Sequence, residues 1–102
     1  MENSFISLNE RALLWAEAKG IFKNGTDLGQ ALKTVEEANE LFSATVDGDI
    51  ELQKDAIGDI FVCITIMAFR LNLNPLDCFE SALEVIEKRN GNMINGQFVR
   101  NN

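Results

Sequence analysis

Residues 33–41, KTVEEANEL, and residues 54–60, KDAIGDI, decide how this chain is read. On a helix, side chains three or four positions apart share a face. Glu36 and Glu37 then both neighbour Glu40, and Asp55 lies one turn before Asp59, so each stretch carries an acidic stripe. Like charges at that spacing destabilise a helix by about 0.2–0.5 kcal/mol per pair, and a surface helix of a protein already at net charge −7 gains nothing obvious by clustering them. The pattern points to a missing cation. Two antiparallel helices would hold a divalent metal between their stripes, with the rest of the chain building and covering the site.

Composition narrows the chemistry. At 102 residues the chain is expected to form one domain, residues 1–102, with core helices over about 5–90 and a basic tail over 91–102. An apolar content of 46% excludes wholesale disorder. With 16 acidic residues against 9 basic ones, the surface repels nucleic acid and anionic membranes, so neither is an expected partner. Histidine is absent, which removes the commonest general base and the usual zinc ligand. Hydrolytic chemistry would therefore run on carboxylates and a hard metal, Mg²⁺ with Mn²⁺ as a substitute. Cys63 and Cys78 lack the paired spacing of a zinc or redox motif and are expected to be reduced core residues. The opening MENSFISLNERALL does not read as a signal peptide. Residues 57–73 are interrupted by Asp59 and Arg70 and fall short of a bilayer span of about 20 residues, so the expectation is a soluble, cytoplasmic protein.

Periodicity predicts an all-α fold of four helices. The first runs from Phe5 to Phe22, with Gly20 and Gly25 at its end. The second is capped by Thr26 or Asp27, with Gln30 in capping-box position to Asp27, and turns out at residues 47–49, DGD. The third starts at Asp49 and includes residues 60–69, IFVCITIMAF, apolar on every side, so it is expected to be buried by a second subunit as well as by its own chain. The fourth starts at Asn74-Pro75 and is closed by Asn90-Gly91. Beyond it, Asn95-Gly96 between short apolar pairs fits a type I′ turn in a small hairpin. Lys33, Lys88, Arg89 and Arg100 are the candidates to hold phosphates opposite the acidic stripes.

The Glu36-Glu37-x-x-Glu40 spacing, with Asp59 in an Ile-Gly-Asp-Ile context, resembles the MazG-like all-alpha nucleoside triphosphate pyrophosphohydrolases. Residues 87–101, EKRNGNMINGQFVRN, look like the ending of the small phage-type members, with Asn92 and Arg100 where that ending has lysines. Trp15 and residues 19–21 resemble the family's first helix. The departure is Ala56, where the family pattern puts a glutamate. The resemblance implies Mg²⁺-dependent hydrolysis of a nucleoside triphosphate to the monophosphate and pyrophosphate, in a homodimer or homotetramer. By position it makes Glu37, Glu40, Asp55 and Asp59 the metal ligands, with Asp55 standing in for the glutamate that Ala56 replaces. Glu36 becomes a further ligand or the group that orients and deprotonates the attacking water. Lys33, Lys88, Arg89 and Arg100 would contact phosphates, within a subunit or across the subunit boundary, and Trp15 would stack on the base.

Each of these residues also has a plainer reading. The acids of residues 36–40 can form a solvated helix face paired with Lys33, Trp15 can be core, and Lys88 and Arg89 suit a helix C-terminus in any protein. Asp59, at the entrance to an all-apolar helix, is the residue that favours a ligated site. The alternative function is a non-catalytic acidic helical dimer that binds metal structurally or docks a basic partner.

Overall fold

The computed structural model describes residues 4–101. The described residues form mainly helices: α1 (Phe5–Ala18), α2 (Ile21–Asn24), α3 (Asp27–Asp47), α4 (Ile50–Arg70) and α5 (Pro75–Ile86), followed by a hairpin of β1 (Gly91–Ile94) and β2 (Gln97–Arg100). The long helices begin where local chemistry says they should. The Thr26 hydroxyl accepts from the Gly29 N–H, the Asp49 carboxylate from Leu52, and the Asn74 side chain from Leu76 and Asp77, with Pro75 in the first helical position.

Three expectations are corrected. The first helix does not run unbroken to Phe22. Gly20 adopts φ 75°, a left-handed conformation that glycine enters at no steric cost, and α2 restarts after it. Asp27 and Gln30 form no capping box, because Thr26 is the cap and the Gln30 amide instead donates to the Cys63 carbonyl of α4 at 3.1 Å. The last helix ends at Ile86, with Gly91 already in β1 rather than closing the helix. The hairpin itself is as expected, with Asn95 and Gly96 at φ 50° and 81°, the two positive values of a type I′ turn.

α3 and α4 are the frame of the molecule. Asp47-Gly48-Asp49 reverses the chain between them, with the Asp49 N–H returning to the Ala44 carbonyl. Ala44 on α3 and Ala56, Cys63 and Ala68 on α4 are buried. Small side chains along both helices let their axes approach closely, and that approach brings polar groups on the facing helices within reach of each other. Side-chain bonds set the register. Gln53 donates to the Thr45 hydroxyl at 3.1 Å near the turn, and Gln30 reaches Cys63 further along. At the far end the Arg70 guanidinium binds the Asp27 carboxylate at 2.9 Å and the carbonyls of Ile21 and Gly25 at 3.4 and 3.2 Å. Asp27 is largely exposed, so the ion pair itself contributes less than about 1 kcal/mol. The larger effect is that the Gly25 carbonyl just past α2 finds a donor, and the Phe22 and Phe69 rings meet at 4.7 Å.

The chain does not close a core on its own. Its radius of gyration is 15.8 Å, where a compact domain of about 100 residues has roughly 13 Å. On α4, Ile57, Phe61, Ile64 and Phe69 are all exposed, the apolar faces that the sequence marked as too many for one chain to cover. Among the described residues α5 packs chiefly at its root, against α4, and its residues Phe79, Leu83 and Ile86 are exposed. For the same reason Cys78 is exposed rather than a core residue, while Cys63 is buried as expected, and both are free. Among the described residues no single helix is long and apolar enough to cross a membrane.

Candidate metal centre

The register of α3 against α4 sets Glu37 roughly level with Asp59. Glu37, Glu40 and Asp59 each offer a carboxylate oxygen, and these oxygens lie within 4.8 Å of one another. Glu40 and Asp59, with Asp55, Asn39, Ser43 and Asp47, line an open groove of about 400 Å³ between the helices. Glu37 is not among the groove's lining residues and is 6% exposed. One of its oxygens faces the Lys33 ammonium at 3.5 Å, and the other, Oε2, is buried without a hydrogen-bond partner. An unpaired buried carboxylate oxygen is costly, and a cation among the three acids is the partner that would satisfy it.

The electrostatics follow from this crowding. Partial desolvation raises the Asp59 carboxyl above its usual 3.8, and the charges of Glu37 and Asp55 push the same way. Lys33 is raised by Glu36 first and then Glu37, so it stays charged. Burial, then the Glu37 charge, raises the Cys63 thiol, which keeps it protonated. A carboxyl whose folded value is raised adds stability that is fully present below its unfolded value, and that stability is lost as pH rises through the folded value. In metal-free buffer, therefore, the wild-type urea midpoint should fall relative to that of Asp59→Asn as pH rises from below 3.8. The effect is small because Asp59 is largely open to solvent. A midpoint difference that does not change with pH would rule this out.

The other candidate residues take separate places. Asp55 lines the same groove as Asp59 but lies outside the three-carboxylate group. Ala56 is buried at the helix contact. Glu36 is exposed and pairs with Lys33 at 3.6 Å. Trp15 is 50% exposed and lines an apolar groove of about 870 Å³ between α1 and α4, with Phe5, Leu8 and Phe61. That groove includes Gly58, whose chain neighbour Asp59 belongs to the acidic one. Asn9, which the sequence reading passed over, also lines it, and its Oδ1 is buried without a partner. The available signal was a polar residue inside the apolar spacing of Phe5, Leu8 and Ala12.

Lys88, Arg89 and Arg100 stand apart from the acids. None lines the acidic groove, and among the described residues none forms an ion pair. The hairpin register sets Arg100 opposite Gly91, two residues after Arg89, so the three cations gather where α5 meets the hairpin.

Sequence comparison adds one relative. Over 54 residues, 53% of this chain, it is 37% identical to an uncharacterized 18.2 kDa protein from the rep-hol intergenic region of Haemophilus phage HP1 (strain HP1c1). The match spans 33% of that protein's length. No family model and no solved structure matches the chain.

Proposed function

We propose that this protein is a Mg²⁺-dependent nucleoside triphosphate pyrophosphohydrolase of the MazG-like kind, acting as a homodimer or homotetramer and releasing pyrophosphate and a nucleoside monophosphate. The observation that carries the proposal is the meeting of Glu37, Glu40 and Asp59 from facing helices, with a Glu37 oxygen buried and unpaired. All-oxygen donors suit Mg²⁺ or Mn²⁺, which keep coordination positions for water and phosphate. Glu37, Glu40 and Asp59 would hold the ion, and Asp55, which lines the same groove, would join directly or through water. The bound ion would supply charge neutralisation at the phosphates and a more acidic water.

The chain's own residues do the rest. Glu36, exposed at the edge of the cluster, accepts the proton of the attacking water. Lys33, held by Glu36 and Glu37, keeps one ammonium beside the acids for a phosphate oxygen. The neighbouring groove is within the range of small-molecule sites, about 300–1,000 Å³. Trp15 offers a face for the base, and Asn9 offers an unpaired oxygen to an exocyclic amine. Exposed apolar faces on α4 and α5 support an oligomer.

Pyrophosphate release measured across the common and deaminated nucleoside triphosphates, with Mg²⁺ and with chelator, tests the proposal. Turnover of at least one nucleotide only with metal is expected. Folded, metal-loaded protein inert on all of them would overturn it. Ala56, buried where a fourth carboxylate would stand, favours a second reading as a non-catalytic helical dimer with a structural ion. In that case calorimetry would find Mg²⁺ affinity indifferent to a non-hydrolysable nucleotide.

A further inference from the structure

α4 carries a glycine well inside its length, Gly58. Glycine within a helix costs stability relative to alanine, so its presence calls for a reason. Backbone conformation does not supply one, because Gly58 lies in regular helix and has no positive φ. Packing within the chain does not supply one either. Among the described residues, apart from its chain neighbours and the backbone of its own helix, no atom lies within 4 Å of the place a Cβ would take. The other glycines with such room, Gly48 and Gly96, both have positive φ. The space over Gly58 is free for something outside the chain.

The neighbours of Gly58 indicate what that is. Side chains three or four positions apart share a helix face. Gly58 therefore adjoins Asp55, which lines the acidic groove, and Phe61 and Val62, which line the apolar groove together with Trp15. Asp59, one of the three meeting carboxylates, follows it directly in the chain. A molecule reaching from the carboxylates to Trp15 crosses α4 at the border of the two grooves, and Gly58 stands on that border without a side chain. Such a molecule is anionic at the end held through a cation and flat and largely apolar at the other. A nucleoside triphosphate has its parts in that order, with the pentose between phosphates and base.

We infer that Gly58 is the point at which the pentose of the bound nucleotide passes over α4, the missing side chain letting the sugar lie against the helix backbone. This rests on the pyrophosphohydrolase reading for the ligand, but binding can be measured without turnover. One added methyl would stand where the sugar goes.

The test is Gly58→Ala. Without ligand, the variant is expected to have a higher urea midpoint than wild type, and its calorimetric Mg²⁺ affinity is expected to be unchanged. Inorganic tripolyphosphate, which has no sugar, should bind both proteins equally in the presence of Mg²⁺. A non-hydrolysable nucleoside triphosphate should bind the variant about tenfold more weakly, the effect of forcing one methyl into a filled space. Trp15 is the chain's one tryptophan, so its fluorescence reports occupation of the groove. Equal affinities for the analogue, no fluorescence response in wild type, or analogue and tripolyphosphate weakened alike would overturn the inference. A lower urea midpoint in the variant would mean that the chain itself fills the space, and a smaller oligomer would give the space to a second copy; either result also overturns it. Wild type that binds the analogue, loses it on Gly58→Ala and hydrolyses no nucleotide would overturn the proposed activity and leave the role of Gly58 standing.

Discussion

Glu37→Gln is expected to abolish divalent-metal binding and turnover while making the metal-free protein more stable. Glu37 is the most buried of the three acids and has one oxygen unpaired. Leaving such a group unsatisfied costs about 1–3 kcal/mol. The opposing loss is the contact with Lys33, whose side chain is 55% exposed, and an ion pair of that kind contributes about 0–1 kcal/mol. The amide keeps the volume, removes a charge beside Asp59, and donates a hydrogen bond where two carboxylates otherwise meet. The net is a gain of about 1 kcal/mol without metal. With metal the sign reverses. Removing groups one shell further from an ion already costs 10–100-fold in affinity, so loss of a direct ligand should cost at least about a hundredfold. Calorimetric Mg²⁺ titration and urea denaturation with and without chelator measure both effects. Glu40→Gln and Asp59→Asn should share the loss of turnover with helical circular dichroism unchanged. Unaltered metal affinity in all three variants would refute the assignment of the centre.

Ile64→Asp is expected to convert an oligomer to a monomer. Ile64 is 44% exposed on α4 within the apolar groove beside Val35 and Leu71. Full burial of such a side chain stabilises by about 1.5–3 kcal/mol. In a two-fold interface each copy contributes the same residue, so the loss counts twice before the charge is considered. A loss of about 3 kcal/mol or more weakens the dissociation constant by over a hundredfold. Light scattering across a concentration series should find wild type above monomer mass and Ile64→Asp at it. The melting temperature of wild type should rise with concentration, and that of the variant should not. A wild-type monomer with a concentration-independent transition would sink the oligomer.

The acidic stripes were legible in the sequence because their spacing is a property of one helix at a time. The same holds for the caps at Thr26, Asp49 and Asn74 and for the Asn95-Gly96 turn, each set by atoms within a few residues. Reading fell short where a local rule had a competitor. Gln30 had a capping-box position available and bonded to Cys63 across the helix pair instead. Cys78 sits in an apolar pattern and is exposed because α5 has little of its own chain to pack against.

What the sequence by itself determined is therefore the all-α pattern, the starts of the long helices at Thr26, Asp49 and Asn74, and which residue types lie on which face, since hydrogen bonds and side-chain spacing within a turn or two decide those. Tertiary structure alone decided that Glu37 rather than Glu36 turns inward, that Glu37 and Glu40 meet Asp59 within 4.8 Å while Asp55 stands outside that group, and that Asn9 is buried unpaired. These depend on the register of α3 against α4 and on the placing of α1 over them. That register is set by contacts across the helix pair, from Gln53 and Thr45 near the turn to Gln30 and Cys63, 33 positions apart, and no short-range periodicity encodes it.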